Sequence, residues 1–184
     1  MSRDNGRFWR ILLVIVLGAL AFRVGYVALA KWDEPAKGDQ VYYNITANQV
    51  ARGLGFTDPR DGSEIAQHPP LTSLVLVPTS WVNEQLDPGG RHLLAQRFTM
   101  AVLGAGVVLL IALVGRRVGG DRVGLVSAAI AALWPALWMN DGLVMSETLA
   151  AGGVALSILL AYRFGRDPTW ANAGWLGAAI GLCM

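Results

Sequence analysis

Six residues combine a reactive side chain with a setting in which it could do chemistry. Asp39 follows Gly38 soon after the first long apolar run. A carboxylate there suits a general base or a ligand for a hard cation, and equally the cap of a helix starting at that point. Glu147, in Met145-Ser146-Glu147, opens another apolar run, where a carboxylate is costly unless paired or wet. A Ser/Glu pair in the first turn of a helix, favoured by the dipole, accounts for it as well. Arg23 lies seven residues before the end of the first run at Ala30, ~10 Å below the helix end at ~1.5 Å per residue. It can snorkel to the surface, or face the bundle interior and pair with a carboxylate or a lipid phosphate. His68 stands before Pro69-Pro70, and Tyr42-Tyr43 can line a groove for a lipid or sit as interface anchors. Asp141, in Asn140-Asp141-Gly142, reads as a turn residue close to water. His68 and His92 are the two histidines of the chain and do not make a zinc site. Asn44-Ile45-Thr46 matches a glycosylation sequon, a short pattern that also arises by chance.

The elements that position these residues follow from composition. Hydrophobic residues make up 54% and charged residues 15% of the 184, too little charge to cover a soluble domain of this size. The charges fall between apolar runs at about 9–30, 93–114, 123–139 and 143–162, with a fifth from 170 that is still apolar at 184. That last run is too short for ~30 Å of hydrocarbon, so the chain is expected to be cut in mid-helix. The first run is longer than a signal-peptide core and ends in Lys31-Trp32, as an uncleaved anchor does. The net charge of +2 comes from arginines beside apolar runs, which speaks for membrane topology and against nucleic acid as a partner. Arg3, Arg7 and Arg10, then Arg116, Arg117 and Arg122, then Arg163 and Arg166 share one side if the runs alternate. The positive-inside rule makes that side cytoplasmic, with Trp9 at its interface and Trp32, Trp134 and Trp138 at the other. The lone Cys183 excludes an internal disulfide.

The expected fold is therefore all-α: a polytopic transmembrane bundle in a plasma (inner) membrane, with the N-terminus cytoplasmic and a first loop, about 31–92, outside. Within the loop, Val41, Ile45 and Val50 have helical spacing, Gly53 and Gly55 stop that helix, and 57–63 reads as a turn. Leu71 to Val82 is too short to span and contains Pro78, so it is expected as an interfacial or re-entrant helix begun by Pro69-Pro70.

The order of these features is more telling than any one of them. Arg23 in the first run is followed by Gly38-Asp39, Tyr42-Tyr43, Ala51-Arg52-Gly53-Leu54-Gly55-Phe56 and His68-Pro69-Pro70-Leu71. Arg97, Gly115-Arg116-Arg117-Val118-Gly119-Gly120, Ala131-Ala132-Leu133-Trp134-Pro135 and Met145-Ser146-Glu147 complete the series. It resembles the amino-terminal part of C-type glycosyltransferases of the protein O-mannosyltransferase and aminoarabinose-transferase type. The resemblance implies an enzyme that moves a hexose or pentose from a polyprenyl-phosphate donor to a lipid, glycan or protein hydroxyl outside the cytoplasm. It places Asp39 at the acidic position essential for transfer and Glu147 at a second acidic position, with Arg23, His68, Tyr42 and Tyr43 as substrate or phosphate contacts. Many members have Asp-Glu where this chain has Asp39-Gln40, so the second carboxylate of that pair is absent; some have Glu-Lys where it has Gln67-His68. A divalent cation shared by Asp39 and Glu147 is the one cofactor the resemblance allows.

Two rivals from other classes stand beside the enzyme. A transporter or flippase for a lipid-linked substrate predicts polar residues at the bilayer midplane and broken helices in corresponding halves. A non-catalytic membrane subunit accommodates the missing carboxylate at Gln40. This chain by itself is expected to be inactive, because a partial bundle leaves helix faces unfinished.

Overall fold

A computed structural model describes residues 3–88 and 92–182. The Arg3 side chain, Cys183 and the tip of the fifth apolar run lie outside the described residues. Seven helices follow in order: α1 (Arg3–Ala30), α2 (Asp39–Ala51), α3 (Leu71–Leu86), α4 (His92–Leu133), α5 (Pro135–Asp141), α6 (Glu147–Arg166) and α7 (Trp170–Leu182). Strands are absent among the described residues, which carry one isolated bridge, Thr57 with Glu64. The chain is thus an all-α bundle, as its composition requires.

Three of the helices, α1, α4 and α6, are long and apolar enough to cross a membrane. Their outward faces are apolar too: Val14, Leu29, Val126, Ile130 and Val154 are all exposed, a pattern that needs lipid and not water around it. The chain is a multi-pass membrane protein.

At 42 residues, α4 is about twice the length of a single crossing. It does not run straight. Gly119 (φ −140°, ψ 19°) and Gly120 (φ 78°, ψ −170°) leave helical geometry, and the positive φ at Gly120 is one that glycine adopts without steric cost. The two limbs fold back on each other through small residues. A Cβ on Gly124 would lie 2.8 Å from the Ala112 carbonyl oxygen, and one on Gly115 would lie 2.6 Å from Ser127 Oγ. The helix expected to reach 139 ends instead at Leu133. Trp134 is extended (φ −68°, ψ 116°), as a residue preceding proline prefers, and Pro135 starts α5 at a new angle.

The first limb of α4 runs antiparallel to α1. At one end Arg116 Nη2 donates to Asn5 Oδ1 (2.8 Å), and at the other Arg97 Nη1 donates to the Lys31 carbonyl (2.6 Å). One core joins Phe8, Leu12 and Ala19 of α1 to Val108, Ala112, Ala128, Ala131 and Ala132 of α4. The second core caps the Lys31 end of the bundle, with Tyr42, Tyr43 and Ala47 of α2 packed on Leu76 of α3, Met100 of α4 and Val144.

Polar groups lock this cap. The buried Gln96 amide of α4 donates to Asn48 Oδ1 (3.1 Å) and Ser80 Oγ (2.9 Å) and accepts from Asn44 Nδ2 (2.8 Å), tying α2, α3 and α4 together. Thr46 and Ser73 share a hydrogen bond of 2.5 Å. Asn44, the sequon residue, thus spends its amide inside the fold.

Candidate active site

The loop from Lys31 to Gly38 delivers Asp39 to the surface of the cap, and buried Arg97 fixes that loop. Its Nη1 donates to the carbonyls of Lys31 (2.6 Å) and Glu34 (2.8 Å), and its Nη2 to Gln40 Oε1 (3.3 Å). Lys31 and Glu34 are ion-paired within the loop, and the hydrogen bond from Lys31 holds the Glu34 carboxyl below its ordinary range. Gly38 then takes φ 56°, ψ −132°, a conformation open to glycine, and α2 begins. Gly38 occupies the cap position and no side chain caps the helix. Asp39 is therefore the first helical residue. Its carboxylate sits by the positive end of the α2 dipole without being spent on the α2 amides.

Asp39 is 52% exposed, and its Oδ1 lies 3.5 Å from His68 Nε2. The separation exceeds a good hydrogen bond, yet the imidazole is held in place by its surroundings. Its ring meets Tyr42 at 4.8 Å and Tyr43 at 5.4 Å between centroids, and Tyr42 Oη donates to the His68 carbonyl at 3.4 Å. Tyr42 and Tyr43 are 7% and 2% exposed, so they belong to the wall behind His68 and not to a free lipid-facing surface. Asp39, Tyr42 and His68 line an open cavity of about 390 Å³, together with Ile65, Gln67, Asp58 and Arg60.

Arg60 is the cation at this cavity, and nothing in the sequence pattern singled it out from its turn. Thr57 to Glu64 closes as a hairpin-like turn with Asp58 N bonded to the Ser63 carbonyl (2.8 Å) and Gly62 at φ 73°. Arg60 pairs with Asp58 through Nη2 (2.5 Å) and Nε (3.0 Å). Those hydrogen bonds pull the Asp58 carboxyl down to about 2.

Arg23 lies elsewhere. It is fully buried and donates from Nε to Asp141 Oδ2 (2.6 Å) and from Nη1 to the carbonyls of Ala132 (3.2 Å) and Ala19 (3.3 Å). The guanidinium neither snorkels to the surface nor lines the Asp39 cavity. Its pairing also corrects the reading of Asp141 as a solvated turn residue: Asp141 is 2% exposed and also accepts from Thr148 Oγ1 (2.7 Å). Gly104 leaves the space for this carboxylate, since a Cβ there would overlap Asp141. The Arg23–Asp141–Thr148 chain fastens the start of α6 to α1 and α5, and Phe22 and Tyr26 of α1 pack edge-on against Trp138 of α5 (5.1 and 4.9 Å).

Glu147 is the first residue of α6, next to Thr148, with an exposed side chain. No hydrogen bond or ion pair joins it to Asp39 among the described residues. Likewise no group of three or more His, Cys, Asp or Glu side chains gathers there as a metal-binding cluster. Thr148, the next residue, lines a second, almost wholly apolar groove of about 470 Å³, together with Leu71, Val107, Gly152, Leu156 and Leu182 among others. It runs from Leu71, at the start of the helix that follows His68-Pro69-Pro70, along α4, α6 and α7.

A family model described as dolichyl-phosphate-mannose-protein mannosyltransferase matches residues 62–184. His68, Arg97, Asp141 and Glu147 lie within the matched stretch, whereas Arg23, Asp39, Tyr42 and Tyr43 precede it. No curated protein and no solved structure matches the chain.

Proposed function

Because this chain belongs to the dolichyl-phosphate-mannose-protein mannosyltransferase family, we propose that it forms the donor site of an enzyme that passes a sugar from a polyprenyl phosphate to a hydroxyl. The observation that carries this reading is a pair of unlike spaces whose linings come within three residues of each other along the chain, at His68 and Leu71. A polar cavity holds Asp39, His68 and Arg60, and an apolar groove begins at Leu71, three residues beyond His68. A polyprenyl-phosphate sugar has that same division, a charged head on a long apolar tail.

In the proposed reaction Asp39 accepts the proton of the acceptor hydroxyl as its oxygen bonds to the anomeric carbon. The bond from that carbon to the phosphate oxygen breaks, and its electron pair leaves with the polyprenyl phosphate. General-base help of this kind is typically worth ~10²–10⁴-fold. Arg60 and His68 line the cavity as N–H donors for the phosphate, where such donors stabilise the charge that develops on it. Glu147 is the exposed first residue of α6, next to Thr148 of the groove lining, and is the second carboxylate proposed to serve the reaction. Tyr42 and Tyr43 serve by holding His68, and Arg23 serves through Asp141. A divalent ion at Asp39 is compatible with a hard oxygen ligand but needs ligands beyond His68 and Asp39.

The end of the bundle that bears Arg116, Arg117, Arg163 and Arg166 is assigned to the cytoplasm by the positive-inside rule, in an inner or plasma membrane. The cavity then opens outside, where the acceptor is a protein, glycan or lipid hydroxyl.

The test is to supply the full-length protein, reconstituted in liposomes, with a radiolabelled polyprenyl-phosphate mannose and a hydroxyl acceptor. Label moving onto the acceptor with release of polyprenyl phosphate is the expected result. Donor carried intact across the bilayer identifies a transporter instead, and an untouched donor identifies a non-catalytic subunit.

A further inference from the structure

The opposite end of the bundle carries a cavity that the transfer reaction does not use. It measures about 750 Å³ and lies among α4, α6 and Trp9 of α1. Four arginines line it: Arg116 and Arg117, just before the Gly119–Gly120 break in α4, and Arg163 and Arg166, in the last turn of α6. One carboxylate, Asp167, stands against them, and it already accepts from Asn172 Nδ2 at 3.2 Å. Below the arginines the lining turns apolar with Leu113, Leu159 and Leu160.

Arg116 is committed to the fold. Its Nε donates to Asp121 Oδ1 (2.7 Å), its Nη2 to Asn5 Oδ1 (2.8 Å), and its guanidinium lies 4.0 Å from the Phe8 ring centroid. It forms a rigid rim. Arg117, Arg163 and Arg166 make no ion pair among the described residues and are exposed. Arg163 and Arg166 are three apart, hence on one face of α6, and that face is turned toward α4.

A topology signal asks only that basic residues lie on one side of the membrane, and a helix dipole only that they lie in the last turn. Neither asks that arginines from two helices converge on one hollow with leucines beneath. We propose that this cavity is a binding site for an anionic phospholipid, its phosphate held by Arg117, Arg163 and Arg166 and its acyl chains laid along Leu113, Leu159 and Leu160. Guanidinium groups pair with phosphate through parallel N–H donors, and basic hollows between membrane helices are a known mode of headgroup recognition. The apolar floor commits the site to a lipid, because a free phosphate has no use for it. The proposal is independent of the catalytic reading.

The experiment compares lipid retention by native mass spectrometry after the full-length protein is released from nanodiscs of phosphatidylcholine with or without phosphatidylglycerol. The wild type is expected to retain phosphatidylglycerol in preference to phosphatidylcholine. The triple variant R117Q/R163Q/R166Q should lose that preference by roughly a hundredfold. A control variant, R7Q/R10Q/R122Q, removes as many charges from sequence positions outside the cavity lining and should keep most of it. The R117K/R163K/R166K variant, with charge retained, separates loss of binding from loss of fold. Equal loss in the control variant would show a diffuse surface potential and overturn the site. So would displacement of the bound lipid by inorganic phosphate at equal concentration, or no preference in the wild type.

Discussion

Asp39 and Asp141 illustrate how far a carboxylate's role depends on its partners. Asp39 keeps an exposed carboxylate 3.5 Å from His68 Nε2, whereas Asp141 is buried and committed to Arg23 and Thr148. The sequence singled out Asp39 through the resemblance, whereas its position alone suited a helix cap, a place the structure gives to Gly38. It misplaced Asp141, whose partner lies 118 residues away and cannot be read from local pattern. Arg60 stayed hidden for a similar reason, since a turn residue acquires meaning only when the turn folds against α2. Breaking the buried pair should be severe: Asp141→Ala leaves the Arg23 guanidinium uncompensated, at a cost of about 3–5 kcal/mol, read as a lower unfolding midpoint in detergent. Arg23→Met combined with Asp141→Leu should recover much of that loss, because two apolar groups leave no charge behind. A double variant as unstable as the single one would contradict this account of the pair.

Helix boundaries were legible wherever glycine or proline sets them. Gly53 and Gly55, at φ 79° and 72°, end the segment after α2, and Pro69-Pro70 precede α3 as expected. The α4 hairpin was anticipated as two separate runs, and the structure supplies what holds them together, the close approach at Gly115 and Gly124. Contacts of that kind leave no periodic trace in the sequence. They give a differential test within one helix. Gly124→Ala forces a Cβ to 2.8 Å from the Ala112 oxygen and 3.0 Å from Arg116 Cβ, and should destabilise by about 1–3 kcal/mol. Gly106→Ala meets nothing within 4 Å and gains helix propensity, so its midpoint should stay level or rise. Equal effects at the two positions would mean that the limbs are not packed as described.

At the scale of the whole molecule, the charge pattern and the fold agree on a two-ended object. Arg116, Arg117, Arg163 and Arg166 converge at one end, and Asp39, His68 and Arg60 share a cavity at the other. Which end faces the cytoplasm is a further question with a direct readout. In a Cys183→Ala background, a cysteine at Asp33 should react with an impermeant maleimide from outside intact cells, and one at Arg117 only after permeabilisation; the reverse pattern would invert the assigned topology. The central claim concerns Asp39 itself, and single-turnover sugar transfer by folded, membrane-inserted Asp39→Asn protein tests it most directly. A fall of ~10²–10⁴-fold in the transfer rate, with donor binding retained, is the predicted result. Transfer at the wild-type rate would remove Asp39 from the reaction and contradict the account.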